Sequence, residues 1–319
     1  MSDSSAGAGR FAPSPSGPLH IGNLRTAVVA WLFARSTGRG FLIRVEDLDR
    51  VRAGAESRQL EELAALGLTS DTAVVRQSER TALYEEALGT LTRRGLVYEC
   101  FCTRRDIAEA ASATHSPPGF YPGTCRSLSA EERARRRALR PPALRLRSDV
   151  DSWQIEDVLA GPVVAPVDDV VLRRNDGAVA YNLAVVVDDA AQGIDQVVRG
   201  DDLLSSTPRQ AYLAYLLGLP VPEYAHVPLA LNPEGRRLAK RDGAVTLEDL
   251  ALLGYSPGSV LGTILASLVL PTGPLQAALD AFDPARLPRT PWVVDPLHLP
   301  STGTAPTHHP SAPTDKVLP

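Results

Sequence analysis

The stretch RFAPSPSGPLHIGNLRTA, residues 10–27, joins a short strand to a helix through a loop that three prolines stiffen. We predict the strand over residues 10–13 and the helix over residues 21–37, because apolar residues recur there at helical spacing and Gly38 follows them. The next segment, GFLIRVED at residues 40–47, predicts a buried strand that ends in acids. Strand, loop, helix and strand in this order are the first unit of a parallel α/β sheet.

The loop between this strand and this helix has the features of an anion site. Its prolines fix the backbone, while Gly17 and Gly22 allow a ligand to approach the backbone closely. His20 lies at the start of the helix, where unpaired N–H groups and the helix dipole attract anions. A bound phosphate would gain these donors and one imidazole. A proline-rich turn with a helix-capping histidine explains the same residues, so the stretch alone leaves both interpretations open.

Beyond residue 47 the chain continues to alternate. Apolar spacing predicts helices over residues 55–66, 81–94, 203–217 and 247–269. β-branched runs with acidic ends between residues 184 and 204 predict that the sheet resumes there.

The segment from residue 96 to residue 180 differs from its surroundings, because it holds all three cysteines and an arginine-rich run. We interpret it as an insertion into the sheet domain. The predicted parts are the first half of a Rossmann-like catalytic domain over residues 10–95, the insertion over 96–180, the second half over 181–245, a helical C-terminal region over 246–299 and a disordered tail over 300–319.

The composition is that of a globular protein of the cytoplasm. The chain has 319 residues, of which 44% are hydrophobic and 22% are charged, and its net charge is −4. No run of about 18 apolar residues is present, which argues against a membrane-spanning helix. Residues 1–9 lack the charged start and apolar centre of a signal peptide. Three cysteines, an odd number, fit a reducing compartment better than a disulfide framework.

Lysine is rare in this chain. Of 33 basic residues, only Lys240 and Lys316 are lysines, and Lys316 lies in the predicted tail. Arginine can replace lysine at most surface positions, so a lysine that persists suggests a need for a compact ammonium group. This singles out Lys240.

Three segments occur in the order found in class I aminoacyl-tRNA synthetases. They are APSPSGPLHIGN at residues 12–23, RVEDLD at residues 44–49 and RRLAKRD at residues 236–242. The chain resembles the glutamyl branch of this family over residues 10–299. The resemblance implies an α/β fold with the class I Rossmann-like parallel sheet, a zinc-containing insertion, a small C-terminal helical region and no anticodon-binding domain.

Both class I motifs are altered here. His20-Ile21-Gly22-Asn23 stands at the HIGH motif, with Asn23 in place of the second histidine. Arg237–Arg241 stands at the KMSKS motif and keeps only the second lysine, Lys240. Together and in order, the two motifs support the resemblance more strongly than either does alone.

The resemblance implies that a substrate carboxylate attacks the α-phosphate of ATP and expels pyrophosphate. The protein then mainly orients the reactants and stabilises phosphate charge. The resemblance assigns ATP binding to His20, Gly22, Asn23 and Lys240, with His20 and Lys240 as the catalytic residues. Mg²⁺ is expected to bind mostly through the ATP phosphates.

The resemblance also implies L-glutamate as the amino acid. Arginine suits buried carboxylates because its planar guanidinium donates paired hydrogen bonds, and the family pattern gives this task to Arg10 and Arg199. The remaining residues assigned to glutamate are Phe11, Ala12, Pro13, Ser14, Glu46 and Tyr181. Each has an alternative: Glu46 could pair with Arg44 or Arg50, and Tyr181 could be a core residue. Asp47 and Asp49 are expected to cap or to pair with arginines.

The cysteines form the pattern Cys100-x-Cys102 followed, after eighteen residues, by Tyr121-x-x-x-Cys125. Three thiolates could hold Zn²⁺ with a fourth ligand, for which His115 is the conventional candidate. Three reduced cysteines packed as small apolar groups are the alternative. The short members of the glutamyl branch that modify queuosine use Cys-x-Cys…Tyr-x-x-x-Cys, which implies one structural Zn²⁺ with Tyr121 as the fourth ligand.

The length of the chain after Lys240 distinguishes between members of the glutamyl branch. About 60 residues separate Lys240 from the predicted tail, too few for an anticodon-binding domain. This resembles the shortened glutamyl-queuosine enzymes, which activate glutamate without tRNA and attach it to the queuosine base of tRNA(Asp). Val185 also stands where members that charge tRNA(Glu) usually have asparagine. The arginine run at residues 133–147 could contact tRNA phosphates.

Two other functions remain open at this stage. One is a truncated synthetase that charges tRNA(Glu), and the other is a non-catalytic paralogue that binds RNA. Asn23, Ala239 and Arg241 keep the second possibility open, because each weakens a motif position. We expect the protein to be a monomer.

Overall fold

The structure is a computed structural model that describes residues 7–113, 120–238, 246–295 and 299. The strands in the described ranges are β1 (Ala8–Phe11), β2 (Gly40–Val45), β3 (Val75–Arg76), β4 (Val97–Cys100), β5 (Ala143–Leu146), β6 (Ser152–Asp157), β7 (Gly161–Pro166), β8 (Val171–Arg173), β9 (Ile194–Gly200), β10 (Glu223–Val227), β11 (Ala230–Leu231) and β12 (Trp292–Val293). Seven of them form a central sheet in the order β3-β2-β1-β9-β10-β6-β7.

The central sheet is parallel except for β7, which pairs antiparallel with β6. Phe11 pairs with Ile43, and Val227 pairs with Gly200, so β1, β2, β9 and β10 end at the same edge. Parallel α/β sheets bind ligands at this carboxyl edge. The loops that follow these four strands therefore surround the candidate site.

Helices cover both faces of the sheet. In the described ranges they are α1 (Ile21–Ser36), α2 (Ala55–Ala65), α3 (Thr81–Arg93), α4 (Arg104–Ala113), α5 (Ala130–Arg137), α6 (Tyr181–Ala191), α7 (Thr207–Leu217), α8 (Leu247–Leu252), α9 (Pro257–Ser267) and α10 (Leu275–Asp280). The helix α1 packs with α9 and α10, while α3, α6 and α7 pack together. Val197 and Val198 of β9 belong to two different apolar clusters, as expected of a parallel sheet buried on both faces. None of these helices is long and apolar enough to cross a membrane.

The segment over residues 96–180 divides between two places. β4, β5 and β8 form a separate antiparallel sheet. The hairpin of β6 and β7 instead extends the central sheet beside β10. The central sheet thus includes strands from the segment predicted as an insertion.

Two sequence predictions about strands differ from the structure. The first strand is Ala8–Phe11 rather than residues 10–13, because Pro13 has no N–H to continue a ladder. The sheet resumes at β9, within the predicted range 184–204, but residues 184–191 of that range belong to α6 rather than to a strand. The valines of α6 are buried against residues of α3 and α7, so tertiary packing outweighs their preference for strands.

Two predicted helices are also interrupted. The range 247–269 holds α8 and α9, because Gly254 has a left-handed backbone (φ 88°) and Pro257 starts a new helix behind the cap residue Ser256. In the range 203–217, the α-helix begins only at Thr207, with Pro208 in its first turn, after a 3-10 turn over Asp201–Ser206.

Candidate active site

A cavity of about 1060 Å³ lies at the carboxyl edge of the central sheet. It is lined by residues that follow β1, β2 and β10, and by the last residues of β9. The sequence-predicted residues that line it are Arg10, Phe11, Ala12, Pro13, Ser14, His20, Gly22, Asn23, Glu46, Tyr181 and Arg199. The fold therefore brings together residues that lie up to 189 positions apart in the chain. Lys240 lies outside the described residues.

The proline-rich loop is held by hydrogen bonds to side chains of α2. Gln59 donates its side-chain amide to the carbonyls of Ser14 (3.0 Å) and Gly17 (2.6 Å). Glu62 accepts the backbone N–H of Leu19 at 2.8 Å. These bonds fix both ends of the turn, and they place His20 at the start of α1.

His20 and Asn23 form a reciprocal cap on α1. The Nδ1 of His20 accepts the backbone N–H of Asn23 at 3.2 Å, and the Asn23 side chain accepts the backbone N–H of His20 at 3.2 Å. Asn23, which departs from the class I motif, is thus the N3 residue of a capping box. The capping interpretation of this stretch holds, and it is compatible with a ligand at the same helix end.

The imidazole of His20 is neutral at physiological pH. Burial, together with the nearby charge of Arg237, lowers the pKa of His20 to about 4. Because Nδ1 accepts a hydrogen bond, the ring proton is on Nε2, which can donate to an anion. The helix dipole at this position favours the same kind of ligand.

Gly22 is required by packing next to this cap. A Cβ at this position would lie 2.9 Å from the Cβ of Ala230 and 3.0 Å from Nδ1 of His20. A side chain here would displace the imidazole. Gly22 therefore allows the start of α1 to lie close to Ala230 of β11.

A buried row of alternating charges lies beside the cavity. Arg10 donates through Nε to Asp189 at 3.2 Å, and Arg44 donates to the same carboxylate at 2.7 Å. Arg44 also pairs with Glu46 at 3.2 Å and with Asp188 at 3.8 Å. All five residues are buried. This row connects one predicted carboxylate ligand, Arg10, to the predicted ammonium ligand, Glu46.

Glu46 thus has both roles that the sequence left open, since it lines the cavity and pairs with Arg44. Burial raises the pKa of Glu46, although Arg44 and Arg10 oppose this shift. Its neighbours act as predicted. Asp47 caps the turn at Ser78 by accepting its backbone N–H at 2.8 Å, and Asp49 pairs with Arg174 at 3.2 Å.

Tyr181 and Arg199 complete the set of residues predicted to bind glutamate. Tyr181 is the first residue of α6 and is 40% exposed, which excludes the alternative of a core position. Arg199 is buried at the end of β9 and donates to His226, Thr207 and Gln210. None of these three partners carries a negative charge.

The three cysteines converge, as the sequence predicts for a metal site. Their sulfur atoms all lie within 4.8 Å of one another, with 3.5 Å between Cys102 and Cys125. The hydroxyl oxygen of Tyr121 is 3.3 Å from the sulfur of Cys100 and 3.8 Å from that of Cys102. Tetrahedral zinc with Zn–S bonds of about 2.3 Å holds its sulfurs about 3.8 Å apart. His115 lies outside the described residues.

The surroundings of the cysteines suit anionic ligands. The backbone N–H of Phe101 points to the sulfur of Cys125 at 3.4 Å, and the Arg136 side chain lies 3.7 Å from it. The backbone N–H of Cys125 donates to the Tyr121 oxygen at 2.8 Å. Three sulfurs and one oxygen in this arrangement are a donor set that Zn²⁺ accepts.

Among the other arginines of the run at residues 133–147, Arg137 pairs with Glu99 at 2.7 Å.

Sequence reasoning missed three residues of the site's support: Asp189, Asp157 and His226. The acids at positions 188 and 189 end a β-branched run in the sequence, but a strand there would place their side chains on opposite faces of the sheet. In α6 both acids reach the buried arginines. His226 and Asp157 carry no local pattern, because their contact joins two strands 69 residues apart.

Comparison with known proteins agrees with this geometry. The family model of the catalytic domain of class I tRNA synthetases (E and Q) matches residues 8–269. A glutamyl-Q tRNA(Asp) synthetase of Nocardia farcinica is 65% identical over 289 residues, which cover 90% of this chain and 93% of that protein. One from Cutibacterium acnes is 52% identical over 269 residues, covering 83% of this chain and 76% of that protein.

Two solved structures share the fold. A glutamate tRNA ligase from Elizabethkingia meningosepticum, in complex with its amino acid, superposes with a TM-score of 0.76 at 27% identity. The match covers 89% of this chain and 66% of the ligase, so this chain spans about two thirds of the ligase's length. The glutamate-tRNA synthetase of Elizabethkingia anophelis gives a TM-score of 0.79 at 27% identity, over 91% of this chain and 68% of the synthetase.

Proposed function

The chain belongs to the class I tRNA synthetases (E and Q), and we propose that it activates L-glutamate with ATP without tRNA and transfers it to the queuosine base of tRNA(Asp). The observation that carries this proposal is the 65% identity, over most of both chains, with a protein named for that reaction. The cavity supports it, because it gathers residues suited to an amino acid and a phosphate. The enzyme acts as a monomer in the cytoplasm, which suits the three cysteines, because they form no disulfide.

The reaction has two steps. An oxygen of the α-carboxylate of glutamate attacks the α-phosphorus of ATP, the bond to the β-phosphate breaks, and pyrophosphate leaves. A hydroxyl on the ring of the modified base then attacks the activated carbonyl carbon, and AMP leaves with the bonding electrons while the hydroxyl proton passes to solvent. Both substrates bring their own nucleophile, so the protein contributes position and charge.

ATP binds at the start of α1. The Nε2–H of His20 donates to a phosphate oxygen, and the helix dipole stabilises the same charge. Asn23 acts through its capping box, by holding the His20 ring. Lys240, at the second lysine position of the KMSKS motif, supplies a compact cation to the leaving phosphates. Mg²⁺ arrives with ATP and offsets phosphate charge.

Glutamate binds between the two arginine networks. Glu46 accepts the α-ammonium group, and Arg10, which is tied to Glu46 through the buried row, lies at the same end of the substrate. Arg199 belongs to a separate network, and we assign it to the side-chain carboxylate. A buried arginine without an acidic partner among the described residues suits an anionic ligand, because buried charges need partners. The Tyr181 ring and the loop Phe11–Ser14 form the walls.

Zn²⁺ binds to Cys100, Cys102, Tyr121 and Cys125 and holds β4 and the following loop together. The donor set and the short distances between donors support this assignment. The role is structural, because all four residues are committed to the metal and none remains for chemistry. Metal binding at such sites stabilises the folded chain directly.

Exchange of labelled pyrophosphate into ATP tests the first step. Glutamate should support exchange in the absence of tRNA, and no exchange with glutamate would overturn the proposal. The second step is tested with labelled glutamate and three RNAs: tRNA(Asp) with queuosine, tRNA(Asp) without it, and tRNA(Glu). Only the first should become labelled. Labelling of tRNA(Glu) alone would identify a truncated glutamyl-tRNA synthetase instead.

A further inference from the structure

Two buried side chains, Asp157 and His226, lie behind the cavity in a row with Arg199, the arginine that we assign to the side-chain carboxylate of glutamate. Asp157, at the end of β6, is 2.6 Å from Nδ1 of His226 on β10. The other ring nitrogen of His226, Nε2, accepts a hydrogen bond from Nε of Arg199 at 3.1 Å. Asp157, His226 and Arg199 are 4%, 3% and 6% exposed. The row therefore links the edge hairpin of the sheet to an arginine of the cavity.

The contacts fix the protonation of this row. Asp157 accepts four N–H groups, those of the His226 ring and the backbones of His226, Leu159 and Ala160, so its carboxylate is ionised. Burial lowers the pKa of His226, which keeps the ring neutral. The single ring proton lies on Nδ1 and faces the carboxylate. Nε2 then carries no proton and accepts from Nε of Arg199, and the hydroxyl oxygen of Thr207 lies 2.9 Å from the same nitrogen.

The partners of Arg199 determine which edge of its guanidinium is available. Nε is held by His226, and one terminal nitrogen, Nη2, donates to Thr207 and to Gln210, both at 2.7 Å. Within the described part of the chain, the second terminal nitrogen has no hydrogen-bond partner. Since Arg199 lines the cavity, that nitrogen is the one left for a ligand.

The neutral imidazole of His226 holds Arg199 in place without offsetting its positive charge, as a carboxylate in direct contact would. Arg10 is paired directly with Asp189, which offsets much of its charge. Arg199 has only neutral partners in its first layer, and the negative charge of Asp157 is one side chain further away. A hydrogen bond from the guanidinium to a neutral acceptor fixes the guanidinium and leaves its charge for the ligand.

We propose that His226, oriented by Asp157, is a positioning residue that holds Arg199 in place for the side-chain carboxylate and thereby sets the preference for glutamate over glutamine. This inference rests on the proposed function, since it needs glutamate as the substrate. An arginine that can turn away would bind the carboxylate less well. Glutamate would lose more binding free energy than glutamine, because only its side-chain carboxylate depends on the positive charge of Arg199.

The test compares His226→Phe with His226→Gln in pyrophosphate exchange. His226→Phe removes the acceptor, so kcat/KM for glutamate should fall about 10- to 100-fold, the effect of one lost hydrogen bond to a charged group. KM for ATP should stay within about twofold, and the preference for glutamate over glutamine should fall with kcat/KM. The oxygen of a glutamine side chain can take the place of Nε2, so His226→Gln should recover most of the preference.

Tyr212→Phe is the matched control. Tyr212 is buried in α7, and its hydroxyl bonds to Asp149 away from the cavity, so its loss should lower stability without changing the preference. Should His226→Phe not fold, Asp157→Asn tests the same link by freeing the ring to change tautomer, and it should lower the preference about 3- to 10-fold.

The outcomes separate two kinds of failure. A wild-type chain that does not exchange with glutamate would overturn the proposed function itself. A wild-type chain that exchanges, together with a folded His226→Phe or Asp157→Asn variant that keeps the preference within twofold, would overturn only the role of His226. Equal increases in KM for glutamate and for ATP would point to a purely structural histidine and would overturn that role as well.

Discussion

Asp189 and Arg10 form a direct buried ion pair, with 3.2 Å between Oδ1 of Asp189 and Nε of Arg10. Arg44 donates to the same carboxylate at 2.7 Å, so one acid on α6 fixes an arginine from β1 and another from β2. Burial opposes ionisation of Asp189, but the two arginines lower its pKa below the usual range. The carboxylate is therefore charged, and it prevents repulsion between two buried cations.

Asp189→Asn should weaken both glutamate binding and the fold. The amide cannot balance two buried arginines, so we expect the free energy of unfolding to fall by about 3–5 kcal/mol. Because Arg10 loses its orientation, KM for glutamate should rise at least about tenfold. Urea unfolding and pyrophosphate exchange measure these effects. Asp71→Asn is the control, since Asp71 pairs with Arg35 at the surface and its loss should cost less than about 1 kcal/mol. Equal effects of the two substitutions would contradict the role of Asp189.

The elements of this site that could be predicted from the sequence are those that a local sequence pattern encodes. The strand, loop and helix around His20 are encoded by prolines, apolar spacing and a helix cap within 30 residues, and the structure has them. Asp189 lies in a run of valines that predicts a strand, and only packing against α3 and α7 makes the run a helix. Its contact with Arg10 joins residues 179 positions apart, and no local pattern encodes such a contact.

His20→Asn and His20→Ala separate the cap from the chemistry. Asparagine is among the best N-cap residues, so His20→Asn should keep stability within about 1 kcal/mol, whereas His20→Ala should lose about 1 kcal/mol more. Neither variant supplies the imidazole N–H at the phosphate site, so both should slow exchange about 100-fold. Near-normal exchange in His20→Asn would show that His20 only caps the helix.

The pH dependence of stability should reveal the partly buried, neutral His20. Its pKa is about 4 in the folded chain and about 6.5 when unfolded. Between these values the unfolded chain binds a proton that the folded chain does not, so the stability contributed by His20 is complete above pH 6.5 and is lost as pH falls toward 4. Urea unfolding of the wild type and of His20→Asn at pH 7, 6 and 5 measures this. The wild type should lose more stability than the variant, and parallel losses would contradict a lowered pKa.

Lys240→Ala tests the altered KMSKS motif. A compact cation at the leaving phosphates contributes to the transition state rather than to the fold, so exchange should fall about 100-fold or more while the melting temperature stays unchanged. Lys316→Ala is a matched control, because it removes the only other lysine of the chain. If both variants exchange pyrophosphate at the wild-type rate, the lysine assignment is wrong.

The fourth zinc ligand can be identified by two substitutions. Elemental analysis of the freshly purified chain should find about one zinc per chain, and Cys125→Ser should abolish binding, since thiolates supply most of the affinity. Tyr121→Phe should lower the zinc content and the melting temperature, because the Tyr121 oxygen lies 3.3 Å from the sulfur of Cys100. His115→Ala should leave both unchanged.

Tyr98→Phe controls for the loss of a buried hydroxyl in the same cluster. Tyr98 donates to Asp169 at 2.6 Å, so its loss should cost stability but no zinc. The reverse pattern, zinc kept in Tyr121→Phe and lost in His115→Ala, would assign the ligand to His115. A wild-type chain without zinc would leave the cysteines as packed thiols. In that case chelators should not change the melting temperature, whereas a zinc-bound chain should lose stability when the metal is removed.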